Sequence, residues 1–277
     1  MVRIRSLALA DVADADDVLR DAFGTDHSFA ARLRRYLTIE PDGWLGAEKD
    51  GRLLGMVGAI DYGSFAYVGM MGVRRGHHGA GIGRRLLGTL LEGLEGRGVR
   101  CTRLEATEEG RRLYARMGFV EGGLSREYHL PATAMGLPGP GIEVATDPDQ
   151  IARLDAALFG AERVRLWRWL FAAEAGRVLL ARDEHGEPAG YLCVQDDVLG
   201  PWGALTPQAA EALLNSALPL VRSPHTRVMV PERNEAALAL LTARGWRLDK
   251  LVPHMIRGSG APPDWSRVYG KGSYCLG

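Results

Sequence analysis

Two stretches of this chain each have a second copy in kind, and that self-similarity limits the folds open to it more than any other feature. "DGWLGAEKDGRLLGMVGAIDYG" (42–63) is matched by "GRVLLARDEHGEPAGYLCVQDD" (176–197), two apolar runs around a turn in each case. "TRLEATEEGRRLYARMGF" (102–119) is matched by "TRVMVPERNEAALALLTARGW" (226–246), with Gly118-Phe119 standing where Gly245-Trp246 stands. Solenoid repeats recur every ~20–50 residues, far more often than this, so the pattern argues for a duplicated domain.

The first copy sets the order of elements. "VRIRSLALADVADADDVLRDAF" alternates briefly and then takes helical spacing through Val12, Ala15, Val18, Leu19 and Phe23, which predicts a strand and a helix. Lys49, Asp50 and Gly51 supply turn chemistry suited to positive φ, so a hairpin is expected there. "SFAYVGMMGV" reads as the next strand, "GAGIGRRLLGTLLEGLEGRG" as a helix, "CTRLEAT" as a strand, and "EEGRRLYARMGF" as a helix closed by Gly118. "PATAMGLPGPG" (131–141), rich in Pro and Gly, reads as a linker, so the expected domains are 1–130 and 142–277.

Composition excludes more than it assigns. At 277 residues two domains are expected, and 34 basic against 34 acidic residues leave no charge bias to suit nucleic acid or a membrane surface. Cys101, Cys193 and Cys275 show neither metal-ligand nor disulfide spacing and read as thiols in a reducing compartment. With no apolar run of about 18 residues and no leader pattern at Met1, a cytoplasmic protein is expected.

The chemistry concentrates in "VGMMGVRRGHHGAGIGRRLL" (68–87). A turn carrying Gly79, Gly81 and Gly83 can take positive φ and admit a ligand to the main chain, while a helix starting near Ile82 offers unpaired amides and a positive dipole end. Arg84 and Arg85 oppose the usual acidic preference of a first helical turn, which makes sense where an anion binds. A tight turn packed on a sheet is the alternative. A dinucleotide fingerprint and a P-loop both require residues that this stretch lacks.

The stretch resembles the acetyl-CoA motif of the GNAT acetyltransferase superfamily: a strand ending at Val73, the loop "HGAGIG" (78–83), and the helix opening "RRLL". "LEATEEGRRLYARMGF" (104–119) is similar to the family's second conserved block. The resemblance implies an α/β (α+β mixed-sheet) fold, two tandem GNAT-like domains, each a mostly antiparallel mixed sheet flanked by helices. The second copy resembles the degenerate domain of bacterial tandem-GNAT proteins through "LGPWGAL", "VPERNEAALALL" and "VYGKGSYCLG". It has lost the glycine turn, carries Pro201 and Pro207 where free amides are needed, and has Leu241 where the first copy has Tyr114.

What the resemblance implies for activity is direct transfer of acetyl from acetyl-CoA, as cosubstrate and with no metal, to the primary amine of a small molecule. Met71, Gly72 and Val73 would then face the pantetheine arm, and His78, Gly79, Ala80, Gly81, Ile82, Gly83 and Arg84 the pyrophosphate. Tyr114 takes the general-acid position, and Glu105 or Asp61 could relay the proton of the attacking ammonium. His78 departs from the family's Gln or Arg. His27 is a candidate acceptor contact, while Trp167 and Trp169 read more simply as packing. A non-catalytic acyl-CoA-binding or regulatory module, and transfer to a protein amine, stand as alternatives; a homodimer is left open.

Overall fold

The computed structural model describes all residues except 132–135, 138 and 175, so part of the expected 131–141 linker lies outside the described residues. The chain forms two units that interleave in sequence: Met1–Val120 with Met255–Gly260, and Glu121–His254 with Ala261–Gly277.

In the first unit the opening alternation forms β1 (Arg3–Ser6) and the periodic run after it α1 (Val12–Phe23), closed by Gly24 in the left-handed region. A helix not anticipated from the sequence, α2 (Ala30–Ile39), follows; it buries Leu33, Tyr36 and Leu37, leaves Arg34 exposed and half-buries Arg32 and Arg35. The hairpin forms as expected from β2 (Trp44–Lys49) and β3 (Arg52–Asp61), with φ of 51° at Asp50 and 74° at Gly51. Next come β4 (Ala66–Val73), α3 (Ile82–Gly96), β5 (Cys101–Glu105) and α4 (Glu108–Arg116). Strands β1 to β4 pair antiparallel in succession, and β5 joins β4 in parallel, so the sheet is mixed. Burial of α3 through Ile82, Leu86, Leu87, Leu90, Leu91 and Leu94, against Val57, Ala59, Val68 and Leu104, fixes one face. Each leucine of that stripe contributes roughly 1.5–3 kcal/mol.

The second unit takes β6 (Val120–His129), whose residues from Glu121 onward belong to it, then β7 (Ile142–Val144), α5 (Pro148–Phe159), α6 (Val164–Ala173), β8 (Val178–Arg182) and β9 (Pro188–Val194). It continues through β10 (Leu199–Ala204), α7 (Pro207–Ala217), β11 (Arg227–Pro231), α8 (Glu235–Ala243), β12 (Arg247–Gly258) and β13 (Val268–Gly270). The sequence correspondence is structural as well. The Phe119 amide donates to Tyr114 O at 3.1 Å, as the Trp246 amide donates to Leu241 O at 3.0 Å, with Gly118 and Gly245 both at positive φ.

Strand β12 explains why the units interleave. Its residues up to His254 belong to the second unit, whereas Met255–Gly260 belong to the first, where the strand lies beside β5. There the Ser259 amide donates to Arg100 O at 3.2 Å, and the Arg257 guanidinium reaches Glu95 at 2.5 Å and Met117 O at 3.1 Å. Gly258 allows this approach: it has φ 82°, and a Cβ there would lie 2.0 Å from Arg100 O. Gly258→Ala is therefore expected to lower stability by about 2 kcal/mol or more, read as a fall in denaturation midpoint; an unchanged midpoint would contradict the close approach.

Candidate functional site

The site begins with a fault in β4. Gly58 pairs with Gly69 and Met56 with Gly72, so β4 carries one residue more than β3 across this interval, and Met70 sits at φ 50°. This is a β-bulge, which bends and twists the strand that carries it. On its other edge β4 pairs with β5 only through Ala66, Val68 and the residue between them, opposite Thr102 to Leu104. Beyond that point the parallel ladder ends, and Gly69–Val73 present an edge that β5 does not cover. Met71, Gly72 and Val73, predicted to face a ligand, all lie on this stretch.

The Gly-rich loop follows directly. Asp21 of α1 accepts from the Arg75 amide at 2.8 Å and pins the first turn of the loop. His78 Nε2 lies 2.8 Å from Val73 O; since a carbonyl can only accept, this nitrogen donates. His78 thus ties the loop back to the strand end, a role its departure from the family pattern did not reveal. Gly79 and Gly81 have φ of 79° and 74°, and a Cβ at either would meet nothing within 4 Å, so the loop is open to solvent there. Gly81 is the N-cap of α3 and gives it no side-chain cap, and no acidic residue occupies the first turn, while Arg84 and Arg85 stand exposed in it. The first amides of a helix have no carbonyl four residues back, so Ala80 to Arg84 leave donors and a positive dipole end facing the loop. Gly83 is different: a Cβ there would lie 3.0 Å from Met71 Cε, 3.4 Å from Leu113 Cδ2 and 3.6 Å from Val73 Cγ2. The start of α3, the end of β4 and α4 therefore pack on one another.

Tyr114 lies on α4, which Thr107 caps by accepting from the Gly110 amide. Its ring is buried in the core on the α3 side of the sheet and meets Phe119 edge to face at 5.8 Å. Glu105 ends β5 where the ladder with β4 stops. Alternation sends it to the face opposite Leu104, where it accepts from Tyr67 Oη at 2.7 Å. Burial, together with the Glu105 carboxylate, pushes the Tyr67 phenol well above its ordinary pKa, so it stays a donor. Arg103, buried on the same strand face with its guanidinium 4.1 Å over the Phe65 ring, completes this group. Sequence reasoning missed Tyr67 and Arg103; the alternation of "TRLE" carries the signal for Arg103, and nothing local carries it for Tyr67.

The remaining candidates fall elsewhere. Asp61 ends β3 opposite Ala66, at the other end of β4 from Val73, and pairs with Arg97 at 3.4 Å. His27 is exposed and edge-on to Phe29 at 5.6 Å. Trp167 is fully buried and donates to Asp155 at 2.7 Å, while Trp169 is half-buried on the same helix. Among the described residues Glu127, His129 and Asp249 come close enough to share a cation, but Lys250 and Arg227 stand 3.2 and 3.7 Å from Glu127 and make the group an ion-paired cluster. In the second unit the counterpart of α3 is closed off: Thr206 caps α7 by accepting from the Ala209 amide, and Pro207 removes a donor.

Comparison with known proteins gives concordant results. Residues 12–119 match the model described as Acetyltransferase (GNAT) family, and residues 151–270 the model described as Acetyltransferase (GNAT) domain. The Uncharacterized N-acetyltransferase YitH of Bacillus subtilis (strain 168) is 24% identical over 234 residues, 82% of each chain. A candidate acetyltransferase from Pyrococcus horikoshii of known structure aligns with a TM-score of 0.88 and 27% identity over 100% of this chain and 96% of its own. A tandem GNAT protein from the clavulanic acid biosynthesis pathway shares the fold with a TM-score of 0.64, 17% identity, and coverage of 94% and 99%.

The Tyr67–Glu105 pair yields a spectroscopic prediction. Free tyrosine ionises near pH ~10, and Tyr67 is expected to remain protonated well past it. Ultraviolet titration of the native protein to about pH 11 should give the same phenolate signal for wild type and Tyr67→Phe. Loss of one tyrosine's signal in the variant would contradict the burial and pairing described.

Proposed function

We propose, since the chain belongs to the GNAT acetyltransferase superfamily with two of its domains in tandem, that this acyltransferase moves acetyl from acetyl-CoA to a primary amine of a small molecule. The first unit, Met1–Val120 with Met255–Gly260, supplies the chemistry in this reading, and the second forms a degenerate partner domain. The observation that carries it is the parting of β4 and β5 beside an uncapped helix: an extended amide-bearing arm can pair with the edge at Met71–Val73 while an anion rests on the amides of Gly79 to Arg84. The residues present fit acetyl-CoA in both respects. Positive-φ glycines leave the cradle open, and Arg84 and Arg85 add positive charge.

The amine nitrogen attacks the thioester carbonyl carbon, a C–N bond forms, the C–S bond breaks, and the ammonium loses a proton. Main-chain donors on the bulged segment Met70–Val73 are the candidates to hold the carbonyl oxygen as charge develops on it. Tyr114 protonates the departing thiolate, its phenol being the proton donor of this reading. Glu105, at the closed end of the gap and held by Tyr67, accepts the proton of the amine, directly or through a water.

Tyr114→Phe is expected to lower kcat by about 10²-fold with KM for acetyl-CoA changed less than about twofold, measured as thiol release with an amine acceptor found by screening. An unchanged kcat removes the acid role from Tyr114. Retained acetyl-CoA binding without turnover over a chemically diverse amine panel would favour a binding module instead.

A further inference from the structure

The second unit repeats the parted-strand device of the first and fills it with its own chain. Val198, the residue before β10, makes one parallel bridge with Arg227 of β11, and beyond it the two strands separate. Into the separation comes β13, antiparallel to β10 through Trp202–Gly270 and Gly203–Val268, with the Lys271 amide donating to Met229 O of β11 at 2.9 Å. The fit excludes side chains at the crossing: a Cβ on Gly270 would lie 2.8 Å from Leu199 O and 3.0 Å from Val228 Cγ2. A Cβ on Gly200 would lie 2.3 Å from Lys271 O.

Around this segment stand buried polar side chains that read its main chain. Asn234 Nδ2 donates to Val268 O at 3.0 Å, and Gln195 Nε2 to Gly272 O at 2.9 Å. Arg163, held by both oxygens of the fully buried Asp155, donates to Leu276 O at 3.1 Å and Gly277 O at 3.2 Å. Two side chains of the segment are received in turn, Lys271 by Ser125 at 2.8 Å and Tyr274 by Glu127. Buried polar groups left unpaired are costly, so these side chains are arranged around a segment whose main chain pairs with them, extended at Val268–Gly270 and turning back on itself beyond, where the Gly272 amide donates to Gly277 O at 2.8 Å.

The geometry points to a peptide-binding groove in the second unit, between β10 and β11, whose ligand is the chain's own segment Val268–Gly277. Resting on the reading of the first unit as the acyl-CoA site, it follows that the segment takes the place a cosubstrate arm would have, so one chain holds one acyl-CoA. The groove selects a segment extended at Val268–Gly270, with glycine at position 270 and side-chain donors at 271 and 274.

The test uses the folded full chain with a specific protease site inserted after the exposed Ala261. After cleavage, fragment 262–277 should stay with the remainder through gel filtration, and Gly270→Val in the same chain should release it. Loss of the wild-type fragment on cleavage overturns the proposal, as does equal retention of the fragment that carries Gly270→Val. Equilibrium dialysis of the uncut chain with labelled acetyl-CoA should give one equivalent bound; two equivalents overturn the exclusion of cosubstrate from the second unit. A chain that binds none contradicts the assignment of the first unit, and retention of the fragment still decides the groove.

Discussion

A parallel pair of strands that holds for only three residues organises everything else in the first unit. Past Val68 and Leu104, β4 and β5 no longer share hydrogen bonds, and the bulge at Met70 turns the edge of β4 away. A buried sheet edge must find partners for its amides and carbonyls, so such a parting persists only where something else is to bind there or where the chain fills it. The Gly-rich loop and α3 start where β4 ends, which sets helix-terminal donors beside the opening. His78, Asp21 and the small volume of Gly83 hold that loop against the strand and against α4.

The two units show the same device put to two uses. In the first, the helix after the bulged strand starts without a cap and with arginines in its first turn; in the second, Thr206 and Pro207 close the corresponding helix. Tyr114 in the first corresponds to fully buried Leu241 in the second, in the same hydrogen-bonded turn. The gap left by β10 and β11 holds β13. The sheet of the second unit, open between β10 and β11, has its hydrogen bonds supplied there by a segment of the same chain.

Much of this is legible in the sequence wherever the determinants are local. The Asp50-Gly51 turn, the start of α3 at Ile82, the end of α4 at Gly118 and the duplication are each written in short stretches whose chemistry allows few alternatives. Helix α2 is not, because "AARLRRYLTI" interleaves four apolar contacts with arginines over barely three turns and sits outside the repeated pattern. The tie from His78 to Val73, the bond from Tyr67 to Glu105 and the seating of β13 depend on strand register and on a bulge, which no local spacing encodes. Position on β5 alone marks Glu105 as a candidate, and its partner across the ladder emerges only with the fold. The interleaving of the units through β12 belongs to the same class: Gly258 permits it, yet a lone glycine in a strand does not announce what backbone approaches it.

We propose that the chain carries one cosubstrate cradle, built from the loop between β4 and α3, and that its second copy is closed. Amide NMR of the full chain titrated with coenzyme A tests this most directly. Resonances of Met71–Val73 and Gly79–Arg84 are expected to shift with saturation, while those of Leu199–Ala204 and Val268–Gly270 stay in place. Shifts confined to the β10 and β13 amides, or none at Gly79–Arg84, would contradict it.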